Sequence, residues 1–260
     1  MEQTLPKISI VTPSLNQAKF IEQTILSVLN QDYPDLEYFV IDGGSTDGTL
    51  EILRKFEGEL SWISEPDNGQ SNAINKGLRM ATGQVLAYLN SDDMYLPGAL
   101  QKVGEFFIKN PEASWLTGKC RIINIDGVEI RRFITIYKNF WLLTRNYQVL
   151  LMLDFISQPA TFWQRKVLEM VGFFDEELQY AMDYEYSLRV GKQFDLYFLN
   201  EYLSAFRIHP SSKAGSSANA QFESDLRIVR NFSPSRFQLL LHTLHNKLVI
   251  NFYRHFLGVN

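Results

Sequence analysis

The sequence predicts an α/β protein with a mostly parallel sheet and helices on both faces. Three observations support this prediction: short apolar runs recur through the first hundred residues, segments with helical spacing separate them, and each run ends in a polar, loop-like segment. Strand and helix signals that alternate in this way favour right-handed crossovers between parallel strands. In such sheets ligands bind at the carboxyl ends of the strands, so the polar segments predict a pocket.

The first half of the chain contains four predicted strands and three predicted helices. The strands are the runs ISIVT, YFVID, LSWIS and VLAYL. The first helix follows from apolar residues at helical spacing between Phe20 and Gln31. The second helix is the segment TLEILRKF, and the third extends from Ser71 to about Ala81. Strands and helices therefore alternate along this half of the chain, and each helix connects two consecutive strands.

The pattern after Asn90 is less regular. It predicts a helix that follows Pro97 and reaches about Lys109, then a hairpin that turns at Asp126-Gly127. Further on, Tyr137–Phe155 and MDYEYSLRV are expected to be helical, and ATFWQ, FDLYFL and LSAFRIH to be strands. The small-residue segment HPSSKAGSSANAQ predicts a linker before a helical C-terminal extension. We therefore expect a main domain over 1–215, with halves 1–95 and 96–215, and an extension over 216–260.

Composition narrows the classes of function. The chain has 260 residues, 45% hydrophobic and 21% charged, as in ordinary soluble proteins. Its single cysteine, Cys120, excludes an internal disulfide framework and favours a reducing cytoplasm. Without a signal-peptide pattern or an apolar run of roughly 18 residues, the expected location is the cytoplasm. The net charge is −9 over residues 1–203 and +5 over 204–260, which argues against nucleic-acid binding.

The segment YLNSDDMYLP, residues 88–97, carries the strongest chemical signal. An apolar run ends there in Asn90 and two adjacent carboxylates, Asp92 and Asp93, which repel each other unless a cation lies close. Mg²⁺ uses one or two carboxylates together with substrate phosphates. Helix capping is the alternative, because Asn, Ser and Asp are preferred N-caps.

The segment DGGSTDG, residues 42–48, is a second polar strand end. Its glycines do not have the spacing of a dinucleotide-binding fingerprint. A Gly-rich turn before a helix is one interpretation. The other is that Asp42, at the end of a strand, accepts a hydrogen bond from a nucleobase or a ribose hydroxyl.

Four ordered segments resemble the family 2 glycosyltransferases. They are SIVTPSLNQAKFIEQTILSVLNQDYPDLEYFVIDGGSTDGTLEIL, EPDNGQSNAINKGLRMATGQVLAYLNSDD, QPATFWQRKVLEMVGFFDEELQYAMDYEYSLRV and FRIHPSSK. The resemblance covers about residues 7–213. It implies a Rossmann-like GT-A fold and an inverting transfer from a nucleoside-diphosphate sugar, with a UDP-sugar as the expected donor. A saccharide or lipid-linked saccharide would be the acceptor, in cell-surface polysaccharide or glycolipid assembly.

The resemblance also implies a metal site and a set of donor contacts. The Asp-x-Asp metal motif of the family falls on Asn90, Ser91 and Asp92, so an amide replaces the first acid. Asp92 and Asp93 are then expected to hold Mg²⁺ or Mn²⁺. The donor-binding residues that it implies are Pro13, Ser14, Asn16, Asp42, Gln70, Asn75, Lys76, Asn90 and Ser91.

Lys76 and three later residues complete the expected site. Many relatives have an arginine where this chain has Ile74, and Lys76 is expected to take over part of the diphosphate charge. A solvated helix lysine is the alternative. His209 is expected at the metal or the diphosphate, with a structural role as the alternative. Lys213 would cover the phosphates.

The general base of the relatives is an aspartate that opens a late helix. Its match is Asp183 in AMDYEYSLR. Glu185 is the alternative, but it lies four residues before Arg189, which is the spacing of an ion pair on a helix surface. We therefore expect Asp183 to be the base.

Two alternatives stay open from the sequence. Because Asn90 weakens the metal motif, a non-catalytic nucleotide-sugar-binding protein is the alternative function. In the extension, residues three or four apart form an apolar stripe that packs on the protein's own body or a second subunit, or docks on an anionic membrane. The stripe consists of Phe237, Leu241, Leu244, Leu248, Phe252 and Phe256.

Overall fold

The structure is a computed structural model and describes residues 4–210, 212, 218–233 and 235–257. Its strands are β1 (Ile8–Ser14), β2 (Leu36–Asp42), β3 (Ser61–Ser64), β4 (Val85–Tyr88), β5 (Met94–Tyr95), β6 (Trp115–Ile123), β7 (Thr161–Gln164) and β8 (Leu196–Arg207). Its helices are α1 (Ile21–Leu29), α2 (Thr49–Lys55), α3 (Gln70–Met80), α4 (Ala99–Lys109), α5 (Arg132–Leu142), α6 (Tyr147–Leu150), α7 (Arg165–Val171), α8 (Met182–Gly191), α9 (Ala218–Phe232) and α10 (Arg236–Leu257).

The strands form one sheet in the order β3-β2-β1-β4-β7-β6-β8-β5. Its first half is parallel, as predicted, because β1 pairs with β2 and β4, and β2 pairs with β3. Ser14 lies opposite Asp42, and Asp42 lies opposite Ser64. This register brings the polar segments after the first strands to one edge of the sheet.

The second half of the sheet is mixed, and three local predictions were incomplete or wrong there. The turn at Asp126-Gly127 is present, but only an isolated bridge between Ile123 and Glu129 follows, and α5 replaces the second strand. FDLYFL and LSAFRIH form the single strand β8, and β5 was not predicted. The physical reason is that β8 pairs along most of β6, so a distant partner replaces the local hairpin.

Two apolar clusters cover the two faces of the sheet. Neighbouring residues of β1 point to opposite faces, so Ile10 belongs to the cluster with α1 and α4 and Val11 to the cluster with α3 and α8. Helix α3 lies very close to the sheet because its Gly77 has no side chain, and an added Cβ there would overlap Val11. The expected helices on both faces are confirmed.

The C-terminal helices turn the expected stripe outward. Phe237, Leu244 and Leu248 are 66%, 47% and 69% exposed, whereas His242 and Asn246 are buried against the body. Packing of the stripe on the protein's own body is therefore wrong for these residues. The side chains of Phe252 and Phe256 lie outside the described part, as do Lys213 and the predicted boundary at residue 215. Within the described residues, no helix combines the length and the apolar content that crossing a bilayer requires.

Candidate functional site

Asp42 organises the loop that follows β2. It is fully buried, and its carboxylate accepts hydrogen bonds from the N–H groups of Gly44 (3.0 Å) and Ser45 (2.8 Å) and from the hydroxyls of Ser45 and Ser64. A carboxylate offers about four lone-pair sites, so these bonds use its capacity. A nucleobase contact by Asp42 stays a prediction, and it would have to replace one of them.

Asn16 fixes the loop after β1 to the loop after β2. Its backbone is left-handed, with φ of 53°, a conformation that Asn tolerates better than most residues. Its N–H donates to Ser45 Oγ at 2.7 Å, and its side-chain oxygen accepts from the Thr46 N–H at 2.9 Å. The two loops thus form one rigid wall at the sheet edge.

Pro13 and Ser14 end β1 beneath this wall. Both are buried, and Ser14 Oγ has no hydrogen-bond partner in the described chain. A buried hydroxyl without a partner is unfavourable unless a ligand or water completes it. Ser14 is therefore the expected donor contact with a free polar atom at this edge.

Asn90 lies at the centre of a side-chain network at the end of β4. Its oxygen accepts from Gln70 Nε2 at 2.7 Å, and its Nδ2 donates to Asp93 Oδ2 at 3.2 Å and to Gln158 Oε1 at 3.4 Å. Ser91 is buried, and its carbonyl accepts from the Thr24 hydroxyl. Asn90, the amide that replaces the first acid of the family's motif, is therefore held in place by three side-chain hydrogen bonds.

Asp93 has a structural position, and metal binding by Asp93 stays a prediction that would require it to give up its contacts within the protein. It is fully buried, and its Oδ1 accepts from the backbone N–H of Arg207 at 2.9 Å. Burial and the neighbouring Asp92 raise its pKa well above the usual value. Because Asp93 points into the protein and anchors β8, we assign it to the framework.

Asp92 and His209 form the cation-binding candidate. Asp92 Oδ2 and His209 Nε2 are 3.1 Å apart, and the buried His209 ring lies 4.5 Å from the Phe20 ring. Ligands about 2.1 Å from an octahedral ion are about 3 Å apart when adjacent, so this spacing fits two neighbouring ligands. No group of three His, Cys, Asp or Glu residues with metal-binding spacing occurs among the described residues. Mg²⁺ or Mn²⁺ would therefore need further oxygens from diphosphate and water.

Arg207 is a site residue that the sequence analysis missed. It is 1% exposed, and its guanidinium donates to the carbonyl of Asp92 at 2.9 Å and to Gln23 Oε1 at 2.8 Å. Its charge lies beside Asp92 and Asp93, which answers the question of what keeps two adjacent carboxylates together. The signal was an arginine at the end of an apolar strand, in FRIH.

Asn75 and Lys76 have different surroundings on α3. Asn75 is buried and holds the loop before α8, donating to the Phe174 carbonyl (2.9 Å) and Glu176 Oε1 (2.8 Å) and accepting from the Phe174 N–H. Donor binding by Asn75 stays a prediction, and it would have to replace one of these bonds. Lys76 Nζ lies 2.8 Å from Glu65 Oε1 near the edge of the sheet, so its charge is shared with a carboxylate.

Asp183 opens onto a cavity of about 740 Å³ that also reaches Asn90. It lies in the first turn of α8, after Ala181, whose φ of 57° is left-handed. Glu185 points elsewhere and pairs with Arg189 at 2.7 Å, as the spacing predicted. The candidate base and the end of β4 therefore line one cavity.

Two further carboxylates, Asp154 and Asp225, line this cavity and were missed. Asp225 is 6% exposed, and its Oδ1 has no hydrogen-bond partner in the described part of the chain. Burial, with Asp154 and Asp183 nearby, raises the pKa of Asp225 to about 8, and burial also raises the pKa of Asp154. Lys138 opposes both shifts. These residues come from separate segments, so no motif could have grouped them.

Known structures share the fold. The mannosyltransferase PcManGT from Pyrobaculum calidifontis, in complex with GDP-Man and Mn²⁺, superposes with a TM-score of 0.69 at 18% identity, over 94% of this chain and 69% of that one. Residues 1–349 of S. aureus TarS, in complex with UDP-GlcNAc, give a TM-score of 0.65 at 19% identity, over 96% of this chain and 73% of that one. At these identities the likeness shows the GT-A fold.

Sequence relatives and a protein-family model point to the same group. The putative teichuronic acid biosynthesis glycosyltransferase TuaG of Bacillus subtilis is 37% identical over 133 residues, which are 50% of this chain and 52% of that protein. An uncharacterized glycosyltransferase of Mycobacterium tuberculosis is 30% identical over 197 residues, 72% of this chain and 69% of that protein. The chain thus spans about half of TuaG, and 19% of the chondroitin synthase of Pasteurella multocida. The model of glycosyl transferase family 2 matches residues 9–172, more than half of the sequence, and the chain therefore belongs to that family.

Proposed function

We propose that the chain is an inverting glycosyltransferase that moves a sugar from a nucleoside-diphosphate sugar to an acceptor hydroxyl. One observation carries the proposal: a single cavity touches both Asn90, at the sheet edge, and Asp183, on α8. The edge offers the expected donor contacts, and Asp183 offers a carboxylate facing the space where an acceptor would lie. A UDP-sugar is the expected donor, and cell-surface polysaccharide or glycolipid assembly is the expected role.

The relatives support this proposal by what they bind or make. TarS binds UDP and UDP-GlcNAc, PcManGT binds GDP-Man with Mn²⁺, and TuaG is assigned to teichuronic acid biosynthesis. These ligands share a sugar on a nucleoside diphosphate. We extend that class of donor, and not one particular sugar, to this chain.

Asp92 and His209 would hold Mg²⁺ or Mn²⁺. When bound, the cation supplies positive charge that stabilises the departing diphosphate. Lys76 is the second expected source of positive charge, although Glu65 shares it. Asp92 remains hydrogen-bonded through its carbonyl to Arg207, which fixes the backbone that carries the carboxylate.

Asp183 accepts the proton of the acceptor hydroxyl as its oxygen attacks the anomeric carbon. The nucleoside diphosphate leaves from the opposite face of the sugar, so the configuration inverts. Glu185 cannot take this part without breaking its ion pair with Arg189. Asn90, which accepts a hydrogen bond from Gln70, lies at the expected donor edge and also lines the cavity.

The test is a two-step assay on the purified chain. Thermal unfolding is first measured with a panel of UDP- and GDP-sugars, with and without Mn²⁺ or Mg²⁺, because a ligand that binds the native state raises the melting temperature. The stabilising donor is then used in radiolabelled form with saccharide and glycolipid acceptors. Product formation supports the proposal. Stabilisation without any product or donor hydrolysis would favour the nucleotide-sugar-binding protein instead.

A further inference from the structure

Helices α5 and α10 each expose a row of large apolar side chains. The first row consists of Phe133, Ile136 and Phe140 on α5 with Leu143 directly after it, and the row on α10 consists of Phe237, Leu240, Leu244 and Leu248. We call these eight residues the apolar face. Each is between 47% and 69% exposed. Soluble proteins rarely leave so many neighbouring apolar side chains uncovered, so the face is expected to contact a partner.

The two rows flank the opening of the 740 Å³ cavity. Tyr137 Oη on α5 and His245 Nε2 on α10 are 2.9 Å apart, so the two helices are in contact through these side chains. Phe133 and Leu248 belong to the apolar face and also line the cavity. Since both are exposed and both touch the cavity, they lie at its mouth. Asp183 lies deeper, so the cavity leads from an apolar surface to the candidate base.

Basic residues predominate on the segments that carry the apolar face. Residues 130–153 and 236–257 contain seven Lys or Arg and no Asp or Glu. Arg132, Arg145, Arg236 and Lys247 are exposed, and Glu129 is the acidic partner of Arg132. A second copy that met this face symmetrically would bring like charges together. An anionic lipid surface would instead meet them with opposite charge.

We propose that the apolar face docks on an anionic bilayer and that the cavity behind it receives an amphiphilic acceptor from that bilayer. The apolar chain of the acceptor lies between Phe133 and Leu248, and its hydroxyl head reaches Asp183. This rests on the proposed function for the choice of head group, but the docking itself does not. The cavity wall agrees with such a ligand: it is apolar near the mouth, with Ile134 and Val249, and acidic at depth, with Asp154 and Asp225.

Vesicle flotation of the full chain tests the docking. We expect recovery with vesicles of phosphatidylcholine and phosphatidylglycerol, weaker recovery with phosphatidylcholine alone, and a loss at high salt. The double variant Phe140→Ser/Leu244→Ser should bind about tenfold more weakly or worse, because two large apolar side chains lose their burial. The matched control Met170→Ser/Met80→Ser removes two exposed methionines elsewhere and should float like the parent.

Three results would overturn the docking. They are absence of flotation with the anionic vesicles, equal flotation of the Phe140/Leu244 and Met170/Met80 variants, and a stable dimer in sedimentation that the Phe140/Leu244 variant abolishes. The last result would assign the face to a second copy.

A tryptophan placed at the mouth tests the cavity. In Leu248→Trp, brominated phosphatidylcholine should quench the added emission, and dodecyl glucoside below its micelle concentration should shift it, whereas glucose should not. Met170→Trp serves as the control and should respond to neither. An unresponsive Trp at position 248 contradicts the acceptor site. Neither measurement needs turnover, so failed docking and failed sugar transfer are distinguishable.

Discussion

At the carboxyl edge of the parallel strands, the buried carboxylates of Asp42 and Asp93 are satisfied within the protein, whereas in the cavity beneath α8, α9 and α10 the buried carboxylate of Asp225 is not. Asp42 accepts four hydrogen bonds, and Asp93 accepts from the Arg207 N–H and from Asn90. Asp225, at similar burial, has an oxygen without any partner in the described chain.

This difference indicates which polar groups serve the framework and which are held for a ligand. A satisfied network is rigid before the substrate arrives, which suits loops that bind an invariant nucleotide part. An unsatisfied buried carboxylate costs about 1–3 kcal/mol and is expected where a ligand completes it. The four predictions below test this division.

Asp183→Asn should have the largest effect. It keeps the size of the side chain but removes the proton acceptor, so turnover should fall by about 10²–10⁴-fold while donor affinity changes little. Steady-state transfer assays and donor titrations measure the two quantities. The matched control is Glu185→Gln on the same helix, which should retain turnover and lose about 1–3 kcal/mol of stability, because its largely buried ion pair with Arg189 is lost. The reverse pattern would place the base two residues later.

Asp225→Asn tests whether burial of the ionised Asp225 carboxylate destabilises the fold. The pKa of Asp225 is about 8 in the folded chain, above its ordinary value, so the folded chain holds this proton more tightly than the unfolded chain does. The stability that this proton contributes to the folded chain is therefore complete below about pH 4 and is lost as the pH rises through 8. The variant should therefore match the parent near pH 4 and be more stable at pH 9, by an amount on the order of a few kcal/mol. Thermal unfolding across this range measures it. A parallel pH dependence of both proteins would show that Asp225 ionises normally.

Asp92→Asn separates the metal candidate from its neighbour. Calorimetry should find that UDP binding in Mn²⁺ weakens by about 10–100-fold, while the melting temperature stays near that of the parent. Asp93→Asn should do the opposite, losing about 1–3 kcal/mol of stability, because its amide keeps one acceptor oxygen and turns an NH2 group toward either the Arg207 N–H or Asn90 Nδ2. If the Asp93 variant keeps its stability but loses the Mn²⁺ effect, the two roles are exchanged.

Asp42→Asn should show the smallest effect, and this effect should be confined to the carboxyl edge of the parallel strands. An amide cannot accept from all four donors, so the free energy of unfolding should fall by about 1–2 kcal/mol in urea titrations. Donor affinity should fall little if Asp42 only organises the loop. A large loss of affinity with unchanged stability would instead support the nucleobase contact that the sequence predicted.

The sequence by itself determined the features that depend on local spacing. The alternation of apolar runs and helical segments predicted the parallel half of the sheet and its polar edge, because strand ends of parallel strands meet at one side. The four-residue spacing of Glu185 and Arg189 predicted their ion pair, and so left Asp183 as the expected base. Both follow from periodicities of a few residues.

Only the tertiary structure decided which residues of distant segments the side chains of each strand, helix or loop contact. Asp92 and Asp93 are neighbours in the sequence, yet the position of β8 turns one toward His209 and the other toward the Arg207 N–H. The docking of α10 likewise buries His242 and exposes Leu240, Leu244 and Leu248, against the pattern that its composition favours. Asp154, Asp183 and Asp225 meet in one cavity although tens of residues separate them. Such groupings arise from contacts between distant segments, and local spacing carries no information about those contacts.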